Sequence, residues 1–304
     1  MLLPSRHLRT GLLLVLGLGP YVSRNAIPAA TVAENARIPM ICPTSTHPRT
    51  TAGKDYVFRT TFTDPFQGRV LARFALEELG TQTAAVLYDV ANDYNRDIAR
   101  VFLEVFEAAG GQMVALESYT TGDQDFRAQL ERIRNHRPGV LFLPNFDIDV
   151  IAQARQARQL GIDATFLGGD AWTPEVLGRH PELDGAFTTQ HWHVGVADAS
   201  PEARAFLAAY RQAYGQDPPG VSALAWDTMG LVFQAIQSAG RADPELIRDA
   251  LSRIENYRGA SGTITYRGTG GDPQRSAVIV QLKEGKVIFH KLVNPEPYEL
   301  KGRS

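Results

Sequence analysis

Two hydrophobic rhythms alternate along most of the chain. From 66 to 79 apolar residues recur at a helical period closed by Gly80, and then Ala84-Ala85-Val86-Leu87-Tyr88 is an unbroken apolar run. Such a run marks a strand buried on both faces. The alternation continues with a helix over 95–109, carrying Ile98, Val101, Phe102, Val105 and Phe106 on one face and ended by Gly110-Gly111. A strand at 113–119 follows, then a helix at 126–135 stopped before Pro138, a strand at 140–144, a helix at 148–160 and a strand at 165–167. This series predicts parallel sheets covered by helices and joined by right-handed crossovers. Beyond about residue 186 the spacing changes to a strand at 187–192 and helices at 201–214, 221–239 and 244–254. The chain closes on a hairpin of 276–283 and 286–292 around Glu284-Gly285, a tight-turn signal, and the final Gly-Arg-Ser reads as a frayed terminus.

The first 30 residues support two readings. As a leader peptide, Arg6, His7 and Arg9 form the basic region, Leu12 to Leu18 the apolar core, and Ala29-Ala30 a loose cleavage site. That apolar run is too short to span a bilayer. As structure, 12–16 is a buried strand ending in Gly17-Leu18-Gly19-Pro20, and Ser23 caps a helix through Ala26, Ala29, Ala30 and Ala33. Ile38-Pro39-Met40-Ile41 is then a second short strand. The structural reading is favoured, because a discarded leader has no reason to feed a strand–helix–strand unit.

Composition narrows the function classes. A chain of 304 residues with 44% hydrophobic and 21% charged residues has a sizeable core and room for two domains. Its net charge of −2 provides no global basic field for nucleic acid or an anionic membrane. A single cysteine, Cys42, excludes an internal disulfide framework and any multi-cysteine metal site. There is no Walker A sequence and no Gly-x-Ser-x-Gly elbow, and Gly17-Leu18-Gly19 lacks the third glycine of a dinucleotide fingerprint. His191-Trp192-His193 could set two imidazoles on one face, but with no third ligand it reads as a strand end. Cys42, among apolar residues, reads as a buried inert thiol.

What remains is a set of polar segments at the C-terminal ends of strands, where open α/β sheets bind ligands. They are Gly19-Pro20-Tyr21-Val22-Ser23, Pro43-Thr44-Ser45-Thr46-His47-Pro48, Asp89 to Tyr94, Asn145-Phe146-Asp147, and Gly168-Gly169-Asp170-Ala171-Trp172. Together they provide hydroxyls, aromatics and a carboxylate around one crevice.

These segments carry a family resemblance. GPYVSRNAIPAATVAENARIPMICPTSTHPRTT at 19–51, YVFRTTFTDPFQG at 56–68, VLYDVANDYNRDIARVFLEVFEAAGGQMV at 86–114, YTTGDQDFRAQLERI at 119–133, ARQLGIDATFLGGDAW at 157–172 and AWDTMGLVFQAI at 225–236 resemble the branched-chain amino acid (Leu/Ile/Val)-binding proteins of ABC transporters, within the type I periplasmic binding protein superfamily. The resemblance spans roughly 12–293. It implies an α/β fold of two Rossmann-like lobes with parallel-rich sheets, joined by a three-crossover hinge. Lobe 1 is then expected at 11–62 and 194–266, lobe 2 at 63–193 and 267–293, and a tail at 294–304.

By the same resemblance, Ser23 matches the hydroxyl at a helix N-terminus that receives the ligand's α-carboxylate. Thr46, with Thr44 and Ser45, matches the loop that serves carboxylate and ammonium. Tyr94 matches the aromatic that closes over the ligand, and Asp170 the acid that pairs with the ammonium, while Phe146 and Trp172 are placed beside the side-chain pocket. The implied function is the extracytoplasmic binding component of an ABC importer for an amino acid or related amide, at the periplasm or cell surface. Its implied partners are the permease subunits, with no cofactor, metal, nucleic acid or catalytic residue. A ligand-sensing domain of an amide or amino acid receptor is the alternative, and a truncated, non-functional gene product another. Enzymatic activity has no motif behind it.

One departure stands out. Family members carry a strand, helix, strand and helix before the segment matching Leu12, some 70 or more residues, which implies an incomplete lobe 1 with an open sheet edge and an exposed apolar helix face. A gene start placed at an internal Met accounts for this, with residues 1–11 a non-native lead-in. Asn95, where the family often has Gly, is a minor difference.

Overall fold

The structure, a computed structural model, describes residues 16–295. Two sheets organise it. The smaller is parallel, in the order β1 (Gly17–Leu18), β2 (Met40–Cys42), β3 (Val57–Arg59). Helix α1 (Ser23–Ala36) connects β1 to β2 and buries Ala26 and Ala30 against Met40, Cys42 and Val57. The strand residues between these, Ile41 and Phe58, turn to the opposite face, as the two-residue period of a strand requires. There they pack on Leu231, Val232 and Ala235 of a long later helix and on Ile247 and Leu251 of the helix after it.

The chain then crosses to the larger sheet and begins α2 (Asp64–Glu77). Strands β4 (Thr83–Asp89), β5 (Gln112–Tyr119), β6 (Val140–Phe142), β7 (Thr165–Gly168) and β8 (Phe187–Gln190) are mutually parallel. Helices α3 (Asp93–Ala108), α4 (Arg127–His136), α5 (Asp147–Gln159) and the short α6 (Pro174–Leu177) fill the connections. Ala84, Val86, Val140 and Phe142 face one core cluster, and Ala85, Leu87 and Leu141 face the other. The continuous apolar run of β4 therefore follows from helices on both sides.

From β8 the chain returns to the smaller sheet through α7 (Pro201–Tyr214), α8 (Gly220–Ala239), α9 (Pro244–Ser252) and the hairpin β9 (Tyr257–Gly259) with β10 (Gly262–Ile264). It crosses a third time to add β11 (Ala277–Lys283) and β12 (Lys286–Val293) antiparallel, giving the order β12-β11-β8-β7-β6-β4-β5. Glu284 and Gly285, at φ 51° and 75°, provide the two left-handed residues of a type I′ turn.

Most expected elements form within a few residues of their predicted bounds. The strands expected at 140–144 and 187–192 end earlier, at Phe142 and Gln190. Asn145 and His191 leave the ladder to make side-chain hydrogen bonds instead. β3 and the β9–β10 hairpin escaped the pattern reading because three-residue strands carry too little periodicity. The strand expected at 12–16 lies, except for residue 16, outside the described residues, as do the 1–11 lead-in and the frayed Gly-Arg-Ser. Parallel pairing of Gly17 with Met40 and Leu18 with Ile41 begins directly after it. On α8, Trp226, Met229, Phe233 and Ile236 share one face and are exposed, Phe233 by 64%.

Candidate ligand-binding site

The polar strand ends of the two sheets meet where the chain crosses between them. On the smaller sheet, the segment after β2 is held by Arg59, whose side chain is fully buried at the end of β3. Its guanidinium donates to the carbonyls of Ser45 (2.7 Å) and His47 (2.9 Å), to Thr51 Oγ1 (2.7 Å) and to Asp272 Oδ1 (2.5 Å). One planar fork thus fixes the shape of 45–51. Within that loop, Ser45 Oγ donates to Ser23 Oγ at 3.2 Å and sits 2.7 Å from Thr50 Oγ1. Thr44 Oγ1 donates to the Tyr21 carbonyl at 2.7 Å, so this hydroxyl ties the two loops together.

Ser23 was expected to cap α1. It is instead the first helical residue, the cap position is Val22, and no side chain caps the helix. Freed from capping, Ser23 Oγ accepts from the His47 backbone N–H at 3.4 Å. An uncapped helix N-terminus beside buried hydroxyls is a ready anion site. Gly19 allows this packing, because a Cβ there would lie 2.4 Å from Cys42 Sγ. Burial pushes the Cys42 thiol up to about 12, so the thiolate is suppressed, in keeping with an inert thiol.

On the larger sheet, Asp170 follows β7 and is the hub of a buried polar cluster. Its Oδ1 accepts from Tyr94 Oη at 2.9 Å and from Gln67 Nε2 at 2.7 Å. Its Oδ2 lies 3.2 Å from His191 Nε2, and His191 Nδ1 is 3.0 Å from Thr61 Oγ1 on the crossing segment. Gln67 Nε2 also reaches Asp64 Oδ1 at 2.9 Å, and Gln67 Oε1 accepts from the Asp170 backbone N–H at 3.2 Å and from Thr189 Oγ1 at 3.0 Å. Tyr94 is presented at the start of α3, whose cap Asn92 accepts from the Tyr94 N–H at 3.1 Å. Burial, then the neighbouring Asp170 and Asp64, hold its phenol well above its ordinary range.

Several contacts join the two halves. The Asp64 N–H donates to the Thr46 carbonyl at 3.0 Å, and His47 Nε2 meets Asp97 Oδ2 of α3 at 2.8 Å. The Tyr21 phenol, on the segment before α1, is pushed up to about 12, first by desolvation and then by the charges of Asp170 and Asp147. Phe146, at the cap of α5, is half-buried with its ring centroid 6.0 Å from that of Tyr94.

Trp172 is corrected. It was expected beside the ligand's side chain, but it is 1% exposed, donates Nε1–H to the Leu143 carbonyl at 3.0 Å and packs in the core with Phe166 and Leu177. His191 and His193 do not converge, since His193 Nδ1 accepts from the Gly195 N–H while His191 turns to Asp170. No group of three metal-ligating side chains occurs among the described residues. Asp64, Gln67 and His191 were missed as site members. Their signal was present only as buried polar residues close to a strand end or helix start.

The comparisons with known proteins converge. Residues 15–286 match the family described as periplasmic binding protein. A leucine-, isoleucine-, valine-, threonine- and alanine-binding protein of Pseudomonas aeruginosa is 29% identical over 259 residues, covering 82% of this chain and 66% of that one. A Leu/Ile/Val-binding protein of Rhizobium johnstonii is 28% identical, covering 89% of this chain and 73% of the relative. The crystal structure of a leucine-binding protein from Thermotoga maritima matches with a TM-score of 0.88 at 34% identity, over 92% of this chain and 80% of that one. A branched-chain amino acid transporter substrate-binding protein from Streptococcus pneumoniae, solved with isoleucine, matches with a TM-score of 0.83 at 28% identity over the same shares of the two chains. Two α/β sheets with three crossings, polar strand ends meeting between them and these matches lead to one conclusion: the chain belongs to the periplasmic binding protein family.

Proposed function

We propose that this chain is the extracytoplasmic solute-binding component of an ABC importer and takes an amino acid of the branched-chain type, or a related amide, between its two α/β halves. One observation carries the reading. An uncapped helix N-terminus with the Ser23 and Ser45 hydroxyls stands on one sheet, and the Asp170 carboxylate, backed by Tyr94, stands on the other.

A zwitterion has the complementary pair of ends. Its carboxylate suits the free N–H groups and partial positive charge of α1, and its ammonium suits Asp170. Because the two receiving groups belong to different halves, a ligand that engages both binds the closed arrangement more tightly and shifts the population toward it. Thr46 contributes from the loop, Thr44 braces that loop, and Tyr94 and Phe146 form an aromatic wall for an aliphatic side chain. No bond is broken; the output is a closed shape presented to permease subunits in the membrane. A protein with this role works in the periplasm or at the cell surface.

A thermal-shift and calorimetric screen of leucine, isoleucine, valine, their amides and benzoate tests the assignment. Leucine or a close homologue raises the melting temperature, benzoate does not, and Asp170→Ala abolishes binding of every ammonium-bearing ligand. Leucine affinity unchanged in Asp170→Ala refutes the amino acid assignment.

A further inference from the structure

Asp64 is the first residue of α2 and is fully buried. Its Oδ1 accepts from Gln67 Nε2 at 2.9 Å and the Thr46 side chain also acts on this carboxyl, while no hydrogen bond of ordinary geometry reaches Oδ2. The same Gln67 nitrogen donates to Asp170 Oδ1 at 2.7 Å, so one amide bridges two carboxyl groups. The Asp64 backbone is bonded to the Thr46 carbonyl, which sets this carboxyl between the ligand loop of the smaller sheet and the Asp170 cluster of the larger one.

The charged and titratable groups around it are few. Asp170 faces it from the loop after β7, with Tyr94 of α3 and His191 beyond β8 both bonded to Asp170 rather than to Asp64. Arg59 of β3 is the nearby cation, but its guanidinium is occupied by Asp272 and by the carbonyls and hydroxyl of the 45–51 loop. Two buried carboxyl groups bridged by one neutral amide, with His191 set against Asp170 and no cation directed at Asp64, cannot both stay ionised without cost. The missing complement is a compact cation with several N–H donors, which is what a primary ammonium provides.

We propose that Asp64 is a second acidic group of the ligand site, holding a proton while the site is empty and releasing it when an ammonium-bearing ligand binds. The proton passes from the Asp64 carboxyl to solvent and the ligand keeps all three ammonium protons, so one H⁺ leaves for each carboxyl ionised. Burial, followed by the neighbouring Asp170, raises the Asp64 carboxyl to about 7, which places the exchange within reach of physiological pH. The inference rests on the amino acid reading above and adds to it a selection: ligands without a cationic nitrogen leave Asp64 protonated and release nothing.

Calorimetry of the full chain with leucine, in two buffers of different ionisation enthalpy, counts the protons. Release of about half a proton per leucine is expected at about pH 7, rising toward one at about pH 6, with affinity falling as pH is lowered. Asp64→Asn, isosteric with the protonated acid, should lose both the release and this pH dependence, whereas His191→Asn should retain the release even where it weakens binding. Buffer-independent heats in the unmodified protein, or a release that survives Asp64→Asn and vanishes in His191→Asn, overturn the inference while leaving amino acid binding intact. Failure of every amino acid and amide to bind overturns the amino acid reading, and this inference with it. Should Asp64→Asn not fold, the pH profile of release in the unmodified protein decides alone, and its absence between about pH 6 and pH 8 is the negative result.

Discussion

His47 Nε2 stands 2.8 Å from Asp97 Oδ2, a buried imidazole on the loop after β2 bonded to a carboxylate on α3. The other ring nitrogen, Nδ1, accepts from the Arg49 N–H at 3.0 Å, so the proton of the neutral ring sits on Nε2 and is directed at Asp97. The pair bridges the two sheets beside the proposed ligand site, with Arg49 and Asp93 reinforcing it more loosely at 3.7 Å.

Acid should therefore loosen the molecule through His47. Burial lowers the affinity of this imidazole for a proton, and Asp97 and Asp93 only partly offset that. A histidine whose folded pKa lies below its unfolded value stabilises the fold above about 6.5 and loses that contribution as pH falls through the folded value. Thermal melts should show a drop in Tm below about pH 6.5, and His47→Gln should flatten this part of the profile. An unaltered profile in His47→Gln would assign the acid sensitivity elsewhere.

Arg59 is expected to be the most damaging single position near the site. Arg59→Ala leaves the carbonyls of Ser45 and His47 and the Asp272 carboxylate without their donor, at a cost of about 3–5 kcal/mol. Arg59→Lys keeps the charge but cannot reproduce the planar fork, so it should recover only part of that loss. Urea denaturation of the three proteins gives the comparison directly, and a Lys variant as stable as the original would show that charge alone suffices.

Cys42 should be unreactive in the native state. It is fully buried and its thiol is held near 12 by desolvation, so thiolate is scarce at neutral pH. A chromogenic disulfide reagent should label it at the rate of unfolding, with fast labelling only in denaturant. Rapid native labelling would contradict the burial of β2.

The exposed stripe of α8 should bind a hydrophobic dye. Trp226, Met229, Phe233 and Ile236 follow a spacing of three, four and three residues, which puts them along one helix face. Phe233→Glu should lower dye fluorescence and reduce light scattering with little effect on stability, within about 0.5 kcal/mol, because the ring is 64% exposed. Equal dye binding by both proteins would locate the apolar surface elsewhere.

Much of this molecule was legible from residue order. The doubly buried run at 84–88, the amphipathic stripe of Ile98, Val101, Phe102 and Phe106, and the Glu284-Gly285 turn are local patterns, and local patterns follow from backbone geometry and burial alone. Polar residues at strand ends pointed to the proposed site for the same reason, since a strand that leaves its sheet exposes groups that must find partners. Tertiary structure decided what those groups do. Asp64, Gln67, Tyr94, Asp170 and His191 lie up to 127 residues apart in sequence and become one hydrogen-bonded cluster only because the pairing of β7 with β8 in the larger sheet brings the ends of these strands beside the first turns of α2 and α3. Trp172 had the right neighbours in sequence and still went to the core, because its ring fills space over Gly168, where a Cβ would lie 2.1 Å away. Periodicity specifies which face a residue takes, but the partner it meets there depends on long-range packing, which no local pattern encodes.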